Sequence, residues 1–127
     1  ARNLTVEQKG LEKSEKIVGD SLMLRIAIRN VLGNAFDFSP NGGTVEVELA
    51  REEGKISLWV RDEGPGIPDF AEGRVFDRFY SLKNEVTGRK GSGIGLSFVR
   101  SAMELHGGDA TLTNRPDRGA VAKLTFA

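Results

Sequence analysis

Asn30, Asn34 and Asp37 fall three or four residues apart in the stretch Leu24–Pro40, LRIAIRNVLGNAFDFSP, so a helix there places them on one polar stripe. Asparagine is a mediocre helix former, because its amide competes for backbone hydrogen bonds. Two stacked amides and a carboxylate offer hard oxygen ligands, the set that holds Mg²⁺ beside a phosphate chain. An ordinary solvated face accounts for the same three residues. Asp62 stands where an alternating run ends in Asp62-Glu63-Gly64-Pro65-Gly66-Ile67-Pro68. A carboxylate there can cap a turn. If buried and ionised it only accepts hydrogen bonds, and so selects adenine, which offers an amino donor where guanine offers an oxygen. Gly64 and Gly66 let the main chain approach a base without a Cβ in the way. Gly91-Ser92-Gly93-Ile94-Gly95-Leu96 opens a helix whose exposed amides suit phosphate. It is not a P-loop, since Ile94 follows Gly93, nor a dinucleotide fingerprint, since Leu96 stands where glycine is needed.

These residues need elements to hold them. Leu24, Ile28, Val31, Leu32 and Ala35 form the apolar stripe of a helix over about 21–38, with turn and cap chemistry in Gly19-Asp20-Ser21 and a stop at Ser39-Pro40. Val45, Val47 and Leu49, then Ile56, Leu58 and Val60, alternate with polar residues on either side of Glu52-Glu53-Gly54, which predicts an antiparallel hairpin. Asn3–Val6 with Leu11, and then Ile17-Val18, suggest short strands around a charged run. A short helical piece is expected near Asp69–Arg74, and the polar, glycine-rich run Ser81–Gly93 reads as a mobile loop. A helix over about 95–106 buries Leu96, Val99 and Met103, and strands over about 110–113 and 121–126 flank the turn Arg115–Gly119. The expected class is α+β, a two-layer α/β sandwich with a mostly antiparallel mixed sheet backed by about three helices.

At 127 residues the chain suffices for one domain. Eighteen basic and eighteen acidic residues cancel, so there is no electrostatic footprint for nucleic acid. The chain has no cysteine, which removes disulfides, thiolate metal sites and cysteine nucleophiles. Its sixteen glycines cluster at turns instead of spreading as in a linker. His106, the one histidine, precedes two glycines at a helix end. A structural role is expected there, favourable to the helix dipole if charged.

In order, Asn30-x-x-x-Asn34-Ala35 to Ser39-Pro40, Asp62-x-Gly64-x-Gly66, Phe76-x-x-Phe79-Tyr80 and Gly91-x-Gly93-x-Gly95-Leu96 resemble the N, G1, F and G2 boxes of the catalytic domain of sensor histidine kinases. The resemblance covers about 17–126 and is nearest to two-component sensors with a short ATP lid, the CreC type. It implies a Bergerat fold binding ATP and Mg²⁺, with Asn34 on the metal and Asn30 assisting. Asp62 would hold the adenine amino group, Gly64, Gly66 and Ile67 would form the turn beside it, and Gly91, Ser92, Gly93, Ile94, Gly95 and Leu96 would receive the phosphates. Phe76, Phe79 and Tyr80 would anchor a lid formed by Ser81–Lys90. Asp37 and Ser81 stand where many relatives carry Lys and Arg, so another cation is expected on the phosphates, Arg78 first and Lys90 second, with Lys83 and Arg89 also near the lid.

The same resemblance implies a γ-phosphoryl transfer to a histidine on a separate dimerisation domain, which this stretch lacks. The chain is therefore expected to be one domain, 1–127, excised from a longer kinase. The implied setting is the cytoplasmic part of an inner-membrane sensor that serves a response regulator indirectly and meets the membrane only through upstream segments. A gyrase- or chaperone-type ATPase, an anti-sigma serine kinase and a degenerate nucleotide-binding module share much of this pattern.

Overall fold

The computed structural model describes residues 5–9, 19–40, 42–67, 95–116 and 118–126. The first helix, α1 (Ser21–Phe38), starts where Asp20 Oδ1 accepts from the Met23 amide at 2.9 Å. It ends at Ser39, held extended (φ −74°, ψ 140°) ahead of Pro40. The Ser39 amide and hydroxyl both donate to the Ala35 carbonyl, at 3.1 and 2.8 Å, so this buried cap leaves neither donor unpaired. Leu24, Ala27, Val31 and Ala35 are buried, while Ile28 and Leu32 are partly buried against the same core.

The strands are β1 (Thr5–Lys9), β2 (Thr44–Glu52), β3 (Lys55–Arg61), β4 (Asp109–Asn114) and β5 (Ala120–Phe126), in the sheet order β1-β2-β3-β5-β4. Only the β1–β2 pair is parallel, so the sheet is mixed and mostly antiparallel. β1 runs past the expected end at Val6 to Lys9, paired with Thr44–Glu48. The β2–β3 hairpin closes on Glu53 and Gly54, with φ of 53° and 78°; two left-handed residues match the twist of the strands they join. Val45, Val47, Ile56, Leu58, Val60, Leu124 and Phe126 face the helices, and α2 (Gly95–Leu105) adds Val99, Ala102 and Met103 to the same core.

The other sheet face is polar. Arg61 bridges Glu46 and Glu48 at 2.7 and 2.9 Å, and Trp59 lies beneath Arg61 and Lys123, 5.8 and 5.2 Å from its ring centre. Both described helices thus lie on one face of the sheet. The expected helix near Asp69–Arg74, the Ile17-Val18 strand and the Ser81–Gly93 loop lie outside the described residues.

Helix α2 closes with the amides of Gly108 and Gly107 on the carbonyls of Met103 and Glu104, at 2.8 and 3.1 Å, and Gly107 left-handed at φ 72°. His106 then joins the two helices. Its Nδ1 donates to the Ala102 carbonyl at 2.7 Å and its Nε2 accepts the Asp20 amide at 2.9 Å. The expected structural role thus takes the form of a hydrogen-bonded link between the end of α2 and the cap of α1. His106→Ala is expected to cost about 1 kcal/mol for each hydrogen bond lost, read by urea denaturation. In mid-α1, a Cβ on Gly33 would meet nothing within 4 Å. Gly33→Ala is expected to stabilise the domain by about 0.5–1 kcal/mol, by removing the entropy glycine loses in a helix. A lower denaturation midpoint would contradict it.

Candidate functional site

Three of the expected pieces are gathered by the fold. Asn34 lines a cleft with Val31 of α1, Leu96 and Val99 of α2, and Leu112 and Ala122 of the sheet. Asn34 of α1 and Leu96, in the first turn of α2 (Gly95–Leu105), thus line one cleft. Asn30 is half-buried one turn earlier on α1, and Asp37 is exposed in the last turn. The end of α1 meets the turn after β3: a Cβ on Gly64 would come within 2.4 Å of the Phe38 carbonyl oxygen. Gly64 is thus required by close packing as well as by any approach to a base.

Asp62 is buried, at 6 % exposure. Its amide donates to the Ala120 carbonyl at 2.9 Å, one step beyond the last β3 residue in the β3–β5 ladder. The side chain completes that step, Oδ1 accepting the Ala120 amide at 3.2 Å and the Gly64 amide at 2.9 Å. Oδ2 has no hydrogen-bond partner among the described residues, and no buried side-chain oxygen there is left unsatisfied, so Oδ2 reaches accessible space. One oxygen builds the turn; the other has no partner among the described residues. Burial pushes the Asp62 carboxyl above the ordinary carboxylate range, against the opposing pull of the Gly64 and Ala120 amides and the Arg115 charge.

The turn itself is clamped by residues that the sequence reading passed over. Asn114 spans 47 positions to hold Ile67 at both ends, Oδ1 accepting its amide at 2.6 Å and Nδ2 donating to its carbonyl at 3.0 Å. Arg115 donates to the Asp62 carbonyl at 2.9 Å, and Arg118 to the Glu63 carbonyl at 3.0 Å. Glu63 Oε1 takes the Thr44 amide at 2.7 Å. Gly66 (φ 84°) and Gly119 (φ 97°) have no room for a Cβ, which would fall 2.7 Å from Asn114 Oδ1 and 1.9 Å from the Asp62 oxygen. The run Asn-Arg-Pro-Asp-Arg-Gly signals a turn in sequence, but nothing local says which distant main chain it grips. Phe76, Arg78, Phe79, Tyr80, Lys83, Arg89, Lys90, Gly91, Ser92, Gly93 and Ile94 lie outside the described residues.

A mixed sheet backed on one face by helices, with an asparagine-bearing helix meeting a buried Asp-x-Gly-x-Gly turn, defines the Bergerat class of ATP-binding fold. The chain belongs to the histidine kinase-, DNA gyrase B- and HSP90-like ATPase family, whose profile matches residues 19–127. Sensor protein CreC of Escherichia coli strain K12 is 39% identical over 108 residues, covering 85% of this chain and 23% of CreC. The signal transduction histidine-protein kinase AfsQ2 of Streptomyces coelicolor is 40% identical over 105 residues, covering 83% of this chain and 19% of AfsQ2. The chain therefore spans about a fifth of the length of these relatives. Among solved structures, the mycobacterial sensor histidine kinase MprB superposes with a TM-score of 0.81 at 32% identity, over 98% of this chain and 80% of that one. The nucleotide-free catalytic domain of histidine kinase ThkA shares the fold, with a TM-score of 0.84 at 22% identity over 98% of this chain and 80% of its own.

Proposed function

We propose that this chain is the Mg-ATP-binding catalytic domain of a sensor histidine kinase, one module of a longer protein. It would deliver the γ-phosphoryl group of ATP to a histidine on a dimerisation domain. The observation that carries the reading is Asp62, one oxygen spent on the turn and the other accessible and able only to accept. Ionised, that oxygen takes a hydrogen bond from the amino group of adenine and repels the carbonyl of guanine. Gly64 and Gly66 keep the adjoining main chain bare for the base. Asn34 beside the first turn of α2 suits the phosphates and a cation, since Mg²⁺ keeps several waters and needs few protein ligands beyond phosphate oxygens. Mg²⁺, when bound, offsets phosphate charge during transfer. Asn34 would orient it with Asn30, while Asp37, Ile67, Gly95 and Leu96 border the nucleotide.

The remaining contacts proposed are Phe76, Phe79 and Tyr80 as lid anchors, Arg78 and Lys90 on the phosphates, and Gly91, Ser92, Gly93 and Ile94 as the phosphate loop. The proposed setting is the cytoplasmic part of an inner-membrane sensor that serves a response regulator indirectly. No described helix is long and apolar enough to cross a membrane. Calorimetry should show binding of ATP and ADP but not GTP, and the chain alone should turn over ATP negligibly. In the related ATPases a glutamate orients the attacking water where this chain has Asn30, whose neutral amide is a poor general base. Equal affinity for ATP and GTP would remove the adenine reading. Rapid steady-state hydrolysis would favour a gyrase- or chaperone-type ATPase.

A further inference from the structure

We propose that Arg115 is a positioning residue for base recognition: from 53 positions away it holds the Asp62 main chain and favours the charged, accept-only form of the neighbouring carboxylate. The inference rests on the reading of Asp62 as the adenine acceptor, and Arg115 itself touches no base in it.

The geometry is specific. Asp62 cannot use its carbonyl to continue the ladder to Ala120, because the side-chain Oδ1 accepts that amide instead. The displaced carbonyl needs a donor, and the Arg115 guanidinium supplies it at 2.9 Å. The guanidinium is anchored in turn, since the Arg115 amide closes the β4–β5 turn on the Gly119 carbonyl at 2.9 Å. Gly119 packs so close to the Asp62 carbonyl oxygen that a Cβ there would lie 1.9 Å from it. Arg115 thus holds the carbonyl of the residue whose carboxylate is set by the Gly64 and Ala120 amides.

The charge has few competitors. From Asp62's own turn, Glu63 is engaged with the Thr44 amide, and Arg118 grips the Glu63 carbonyl. On β2 and β3, Glu46, Glu48 and Arg61 pair with one another on the outer sheet face. Lys123 of β5 lies over Trp59 on that same face, and on α1 Asp37 is exposed. Among the described residues, Arg115 is the charge that acts on Asp62, and it opposes the effect of burial. A carboxyl that took up a proton would present a donor on one oxygen and lose its value as an adenine acceptor.

Two variants separate charge from hydrogen bonding. Arg115→Gln keeps an N–H donor and removes the charge; Arg115→Lys keeps the charge and loses the planar fork. Arg118→Gln is the control for a cation on the neighbouring carbonyl. The titration of the Asp62 carboxyl is followed by carbon NMR in the unliganded chain, and ADP affinity is measured by calorimetry from pH 5 to pH 8. Arg115→Gln should move the Asp62 midpoint up, Arg115→Lys should stay nearer the parent, and Arg118→Gln should not move it. ADP affinity in Arg115→Gln should fall at a correspondingly higher pH and approach the parent's at pH 8. An unmoved midpoint, or an equal loss of affinity at every pH in both Arg115 variants, overturns the proposal. Should Arg115→Gln fail to fold by circular dichroism, raising the salt concentration on the parent tests the same charge, and an unmoved midpoint again overturns it. A midpoint that moves as expected while Asp62→Asn leaves ADP binding unchanged overturns the adenine reading itself, and with it the part assigned to Arg115 in recognition.

Discussion

Asp62→Asn should weaken ATP and ADP binding by roughly 1–3 kcal/mol, or about 5- to 150-fold, without weakening the unliganded fold at neutral pH. The amide oxygen can keep both bonds that Oδ1 now accepts from Gly64 and Ala120. The amide nitrogen then takes the place of Oδ2 and aims a donor at the amino group it should accept from. Stability goes the other way. Burial outweighs the two amides and Arg115, so the carboxyl is held above its unfolded value and its ionisation opposes folding. A group raised in this way contributes stability that is full below its unfolded pKa and is lost as the pH rises through the folded one. The neutral variant should therefore equal or exceed the parent at pH 7, and the difference should shrink as the pH falls below the carboxylate range. Calorimetry with ADP and urea denaturation at pH 7 and pH 3 read the two effects separately. A variant that binds ADP as the parent does would end the assignment of Asp62 to adenine.

Gly119→Ala should destabilise the domain by roughly 2–5 kcal/mol, the sum of left-handed strain and forced overpacking. At φ 97° an alanine is strained in any surroundings, and here its Cβ would sit 1.9 Å from the Asp62 carbonyl oxygen and 3.0 Å from the Glu63 Cα. Both obstacles are main chain, so no rotamer change relieves them. Gly42→Ala is the matched control, since Gly42 has a φ of 83° and nothing within 4 Å of its Cβ position. That variant carries the backbone strain without the clash. Because the displaced atoms belong to Asp62, Gly119→Ala should also lower ADP affinity in whatever fraction stays folded, and Gly42→Ala should not. Equal denaturation midpoints for the two variants would show that the approach of β5 to the Asp62 turn is not tight.

The sequence by itself determined the parts whose cause is local. Asp20, the apolar spacing from Leu24 to Ala35 and the Ser39-Pro40 stop define α1 because capping and periodicity act within a few residues. Alternation around Glu53-Gly54 likewise defines the hairpin, and Asp62 ahead of two glycines marks the chemical turn. Only the tertiary structure decided what these pieces meet. It gave the structural role of His106 its partner, the Asp20 amide, which lies 86 positions away. It set β1 parallel to β2, a choice that composition does not encode. It set Oδ1 of Asp62 on the amides of Gly64 and Ala120. It also brought Asn114, Arg115, Arg118 and Gly119 onto the Asp62–Ile67 main chain. Each of those contacts uses backbone carbonyls and amides, which every residue carries alike. Their partners therefore leave no mark in the identity of the residues they hold, and only the close approach of two distant turns makes them.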